Sequence, residues 1–382
     1  MAQDDQPESP LWEMIALDQR ALPKASQVSQ ARQRWRCLGR WLRVGAEAGD
    51  DPAKDEAELQ HLSQVRLANL APPIDWQPGA RALTRYLAEV GDSAGPVTFL
   101  IGAPECHHAE LLRVWAMQQA ARTLPEPLPT SLLAGDSPWT LEPSETPWVI
   151  PQLERGFLRQ AAALAGLRSF LEEALAGRLG RGVIGCDSWT WAYLHHTLAL
   201  PDASAVTLQA FDGARLSRYF AHAARAAGKL PAIRAVGSGE SVFAEGEEAL
   251  VSRELQPLAV HCRGQLGLAW YYWRARLCEE APEGHVADTL WLAENLDDAT
   301  LPGEVGEETV LLLHTLLLHG GLDEALLPEV LPLSHARALS GLRQLQRRGV
   351  VSCDADRWRV APLGYVSVRR LLEERTYLLD VL

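Results

Sequence analysis

The six cysteines of this 382-residue chain, Cys37, Cys106, Cys186, Cys262, Cys278 and Cys353, include no C-x-x-C pair and lie far apart. Neither a zinc ribbon nor a dense disulfide framework is indicated, and a reducing compartment is expected. The first ten residues carry no apolar run, and the longest apolar stretch, around Val310 to Leu318, is too short to span a bilayer. The expectation is a bacterial-type cytoplasmic protein, neither secreted nor membrane-spanning. G-x-S-x-G and H-E-x-x-H are missing, and the pairs His107/His108, His195/His196 and His314/His319 do not place two ligands on one helical face, so no metal is expected. No nucleophile–base arrangement is legible, because such groups are brought together by the fold.

Hydrophobic residues make up 47% of the chain and charged residues 22%, a globular balance, and the length allows two or three cores. Arginine greatly outnumbers lysine, a bias attributed to coding composition. The formal charge of −13 argues against a surface that grips nucleic acid as a whole, so any DNA contact must be local. Four regions are expected. Residues 1–70 form a helical region, basic over Lys24 to Val44 and acidic over Glu47 to Glu58. Residues 71–210 form an α/β domain, residues 211–290 a helical lid, and residues 291–382 a small terminal domain. The segment 32–43 mixes arginines with Trp35 and Trp41. It is expected to pair with the acidic run or a partner subunit in preference to a membrane surface.

Paired prolines in Ala71-Pro72-Pro73-Ile74-Asp75-Trp76 mark a linker. The run Val97-Thr98-Phe99-Leu100-Ile101, ended by Gly102, reads as a strand buried on both faces, and a helix through Leu111, Leu112 and Trp115 follows. A helix over Leu153 to Leu175 precedes a second such strand, Gly182-Val183-Ile184-Gly185-Cys186-Asp187. Val206-Thr207-Leu208 reads as a third. This alternation predicts a mainly parallel sheet. Most of the thirteen tryptophans are expected in the core, although Trp189-Thr190-Trp191 and Trp270-Tyr271-Tyr272-Trp273 would also suit a protein interface.

Between the first strand and its helix lies Gly102-Ala103-Pro104-Glu105-Cys106-His107-His108-Ala109. This segment resembles the P-loop of AAA+ and STAND NTPases, particularly the origin-recognition-like branch. Against G-x-x-x-x-G-K-[ST], Gly102 matches the first glycine, while His107, His108 and Ala109 stand where the second glycine, the lysine and the hydroxyl residue belong. The backbone approach to phosphate, the fixed positive charge and the Mg²⁺ ligand are all weakened by these replacements. The resemblance implies ATP or ADP with Mg²⁺ as ligand where any is retained, Asp187 as the Walker B acid with Ser188 in place of the usual Glu, and a lid helix around Leu258 to Ala269. Arg263 would reach towards phosphate there, its plainer reading being a solvated arginine.

The terminal region predicts helices over Glu307 to His319, Ala325 to Leu331 and Ser334 to Arg348, then a hairpin through Val350 to Cys353 and Arg357 to Val360: a winged helix. Residues 329–375 are net basic in an acidic chain. Arg337, Arg343, Arg347, Arg348, Arg357 and Arg359 are the residues expected to meet DNA or a protein partner. The leading expectation is a non-catalytic regulator or adaptor on a degenerate ATPase domain, with a protein partner or its own copies. Its alternatives are an active ATPase acting as a DNA-linked switch and a ligand-sensing transcription regulator.

Overall fold

The computed structural model describes residues 10–24, 59–198, 200, 203–226, 232–243, 254–280 and 289–382. The basic and acidic segments within 25–58, including 32–43, lie outside the described residues. The chain divides into two compact units, one formed by residues 1–13, 21–74 and 209–296 and the other by residues 14–20, 75–208 and 297–382.

In the first unit, helices Gln64–Leu70, Gly213–Ala226, Leu255–His261 and Leu266–Arg276 accompany a four-stranded sheet. Its order is Leu59–His61, Leu277–Glu280, Thr289–Leu292, Ala232–Ala235, with only the last pair parallel. This corrects the expected helical lid, since three of these strands fall within or at the edge of 211–290. Ala232–Ala235 alternates exposed and buried, the period of a half-covered strand. The helix ending at Arg276 gives way directly to extended backbone at Leu277, so helical periodicity hid the strand behind it. Phe220 stacks on Trp273 at 4.6 Å, placing Trp273 in the core. Arg274 lies over the Trp270 ring and donates to the Ala71 carbonyl at 2.7 Å, while Trp270 donates to the Pro72 carbonyl. The proline linker therefore finds its partners on this helix.

The second unit is built on a six-stranded sheet. Its strands are β1 (Met14–Ala16), β2 (Val97–Gly102), β3 (Arg122–Thr123), β4 (Trp148–Ile150), β5 (Gly182–Asp187) and β6 (Ser204–Leu208). The order is β1-β6-β2-β5-β4-β3, parallel except for β1, which runs antiparallel to β6. Met14–Ala16 falls in the region expected to be helical; it is an edge strand. Helices α1 (Gln77–Val90), α2 (His108–Gln119), α3 (Pro129–Ala134), α4 (Ala161–Leu175) and α5 (Ser188–Leu198) connect and cover the sheet. Every residue of β2 and β5 is buried, as continuous apolar runs require between two helical layers. The helix expected from Leu153 starts only at Ala161, after a single 3-10 turn over Leu153–Arg155.

The same unit continues through α6 (Glu307–Leu318), β7 (Leu322–Asp323), α7 (Leu327–Val330), α8 (His335–Gln346), β8 (Val351–Asp354), β9 (Arg357–Val360) and α9 (Tyr365–Glu374). The three strands form an antiparallel sheet in the order β7-β9-β8. Ala355 and Asp356, both at positive φ, make the two-residue turn whose twist suits a hairpin. Ser334 occupies the N-cap position of α8, but its side chain makes no capping bond. Leu318 of α6 and Leu382 enter the cluster formed by Phe99, Ile101, Trp148, Phe170 and Trp191, so the sheet and the later segment share one core.

Candidate functional site

Gly102 of β2 lies opposite Asp187 of β5 in the parallel register, which brings the loop after β2 and the end of β5 to the same carboxyl edge of the sheet. In open α/β sheets this is the edge where ligands bind. Cys106 donates its N–H to Ala103, and Glu105 and His107 adopt positive φ. His107, at φ 54° and ψ 35°, holds a left-handed conformation at the position where the P-loop pattern has its second glycine. The loop thus keeps a glycine-type backbone without the glycine. His107 is exposed and stands beside the Trp76 ring. Its pKa is lowered by partial desolvation of the ring and by its neighbour His108.

His108, at the lysine position, points inward and is 8% exposed. Its Nε2 lies 3.2 Å from Oε1 of Glu154, and its Nδ1 lies 3.6 Å from Sγ of Cys106. Burial by itself would discharge the ring, but the Glu154 carboxylate outweighs it and raises the His108 pKa well above 6.5. Glu154 is 2% exposed, and although its burial disfavours charge, His108 and the backbone N–H of Asp187 hold its pKa low. Both shifts favour an imidazolium facing a carboxylate. Ala109 is buried at the start of α2. Space around the loop is tight: a Cβ on Gly102 would collide with Cys106 Sγ, and one on Gly185 would lie 3.0 Å from the His108 ring.

Asp187 is 4% exposed, and its Oδ1 accepts the Trp189 N–H at 2.9 Å, an N-cap to α5. Burial and the nearby Glu154 raise its pKa well above 3.8. The carboxyl is thus turned to the helix end, where it caps α5. Among the described residues no group of three or more His, Cys, Asp or Glu side chains is arranged to hold a metal ion. The next residue, Ser188, donates to Asp380. Arg263 belongs to the first unit, where at φ 52° it forms with Gly264 the turn between helices Leu255–His261 and Leu266–Arg276.

The six arginines of the terminal segment separate into two groups. Arg343, Arg347 and Arg348 are exposed on α8 and its end, and they make no ion pair among the described residues. Arg337 is exposed and pairs with Glu308. Arg359 is exposed and lies 3.7 Å from Asp354. Arg357 is largely covered, with Nε on Asp323 at 2.7 Å and NH2 on Glu126 at 3.1 Å.

Sequence reading singles out neither Glu154 nor Cys106. The available signal for Glu154 is Trp148-Val149-Ile150, a three-residue apolar run between prolines that is β4. An acid shortly after a buried strand lies at the same sheet edge as the loop.

No family model matches the chain, and no curated protein matches it. Among solved structures it is similar to a Walker-type ATPase of Pyrococcus abyssi, at 12% identity and a TM-score of 0.32, over 78% of this chain and 96% of that one. The mostly parallel sheet with its covering helices is compatible with a P-loop-like fold. No helix among the described residues is long and apolar enough to cross a membrane.

Proposed function

We propose that this chain is a non-catalytic regulatory or adaptor protein, built on a degenerate ATPase-like domain and joined to a winged helix that contacts DNA. One observation carries the first half of this reading. The side chain at the lysine position, His108, directs one ring nitrogen to Glu154 and the other to Cys106, so its charge is neutralised internally and is not presented to a phosphate. The winged-helix reading is supported by the order helix, strand, two helices, hairpin from α6 to β9 and by the antiparallel sheet. DNA contact is supported by Arg343, Arg347 and Arg348, exposed on and just after the helix that such modules place in the major groove.

The experiment is equilibrium binding of labelled ATP and ADP with Mg²⁺ to the purified chain, alongside binding to a labelled DNA duplex. The reading expects no nucleotide binding up to millimolar ligand and a salt-dependent DNA affinity. Micromolar nucleotide binding lost in Asp187→Ala would replace it with a nucleotide-gated switch. DNA binding that fails at low salt would leave a protein-docking module.

A further inference from the structure

Cys106, His108 and Glu154 form a line of three groups: sulfur to Nδ1 at 3.6 Å, then Nε2 to carboxylate at 3.2 Å. A sulfur nucleophile, an imidazole within reach of it and a third group fixing the far side of the imidazole are the parts of an activated thiol. Cys106 is partly exposed, whereas the imidazole and the carboxylate are buried behind it. We infer that Cys106 is a modification site, a thiol that hydroperoxides oxidise to sulfenic acid, with His108 and Glu154 as its positioning residues. This inference is independent of the DNA and nucleotide readings.

The other described cysteines lack one or more of these parts. Cys186 and Cys262 are buried, and burial with Glu154 and Asp187 nearby pushes the Cys186 thiol well up. Cys278 meets Nδ1 of His61 at 3.8 Å, but the sulfur is buried and no carboxylate orients His61 among the described residues. Cys353 is about as accessible as Cys106, yet burial and Asp356, Glu324 and Asp354 push its thiol up. Cys353 therefore serves as the internal control.

The class of oxidant follows from the charges around the sulfur. Glu105 and Glu110 flank it on the loop and α2, Glu154 lies behind it, and the positive groups are His108 and, from β9, Arg359. A small uncharged molecule enters such a place more easily than an anion. In the step, the Cys106 thiolate attacks the terminal, hydrogen-bearing oxygen of ROOH, the S–O bond forms as the O–O bond breaks, and RO⁻ leaves. His108 gives that alkoxide a proton, releasing ROH, and regains one from solvent. Sulfur is oxidised by two electrons and the hydroperoxide is reduced by two. Since the sulfur already crowds Gly102, the added oxygen has to push the loop between β2 and α2 outward.

The test treats the reduced full chain with stoichiometric hydrogen peroxide or cumene hydroperoxide at neutral pH in the presence of dimedone, and maps adducts by mass spectrometry. Cys106 is expected to be labelled on the order of ten-fold faster than Cys353, with a fall of similar size in His108→Gln and Glu154→Gln and recovery in Glu154→Asp. Melting curves and iodoacetamide labelling of each variant separate this from a loosened loop, which would raise labelling instead of lowering it. Equal labelling of Cys106 and Cys353 in the unaltered chain overturns the inference whether or not a variant folds. So does unchanged Cys106 labelling in a His108→Gln chain that melts cooperatively.

Discussion

Ser188 donates its hydroxyl to Oδ2 of Asp380 at 2.8 Å, joining residues 192 positions apart. Tyr365 donates to the same oxygen at 3.2 Å, and Arg369 Nε to Oδ1 at 3.1 Å, all on a carboxylate 7% exposed. Removing it leaves a hydroxyl, a phenol and a guanidinium without their acceptor. Asp380→Ala should cost about 3 kcal/mol in unfolding free energy measured by urea denaturation, and Asp380→Asn should cost less because it retains one acceptor oxygen.

Acid should weaken the fold through two histidines of α6 and its end. Burial, with Arg159 nearby, lowers the pKa of His314 to about 4 and of His319 to about 3. Both folded values lie below the ordinary 6.5, so between them the unfolded chain binds more protons and stability falls as pH falls through 6.5. From pH 7 to pH 5 each ring accounts for a loss of about 2 kcal/mol. His319→Phe keeps an aromatic ring beside Phe157, which stands 5.0 Å away, and should flatten that slope by one ring's share in denaturation curves taken across this range.

If Asp187 acts as a helix cap, its substitution should register in stability rather than in turnover. Asp187→Ala removes the bond to the Trp189 N–H and should cost about 1 kcal/mol, while Asp187→Asn, still an acceptor, should melt close to the unaltered chain. Loss of an ATPase rate in both variants at unchanged melting temperature would count against the capping role.

Much of the fold is legible in sequence where burial is continuous. β2 and β5 are apolar over almost their whole length, and β9 spans Arg357–Val360 as the alternation of Trp358 and Val360 requires. β1, β3 and β4 have only two or three residues each, too few for any periodicity. The candidate site is half legible. Gly102, His107, His108 and Asp187 do gather at one sheet edge, but Glu154, which sets the charge of His108, comes from a separate loop and has no motif of its own.

The terminal arginines should part company when tested singly. Reversing Arg343 and Arg347 to Glu should weaken duplex binding and flatten its dependence on salt, by about one unit of slope for each phosphate no longer neutralised, in fluorescence anisotropy titrations. Arg357→Ala should change binding little and lower the melting temperature, since its guanidinium is engaged by Asp323 and Glu126.

Leu382 is 3% exposed and packs into the cluster that contains Phe99 and Trp191. On a ribosome, all six strands of the large sheet leave the exit tunnel well before this residue is made. The nascent sheet must wait with part of its apolar face uncovered, and pairings this distant in sequence form slowly. Between synthesis of β6 and arrival of Leu382 that part of the core stays uncovered and open to association with other chains.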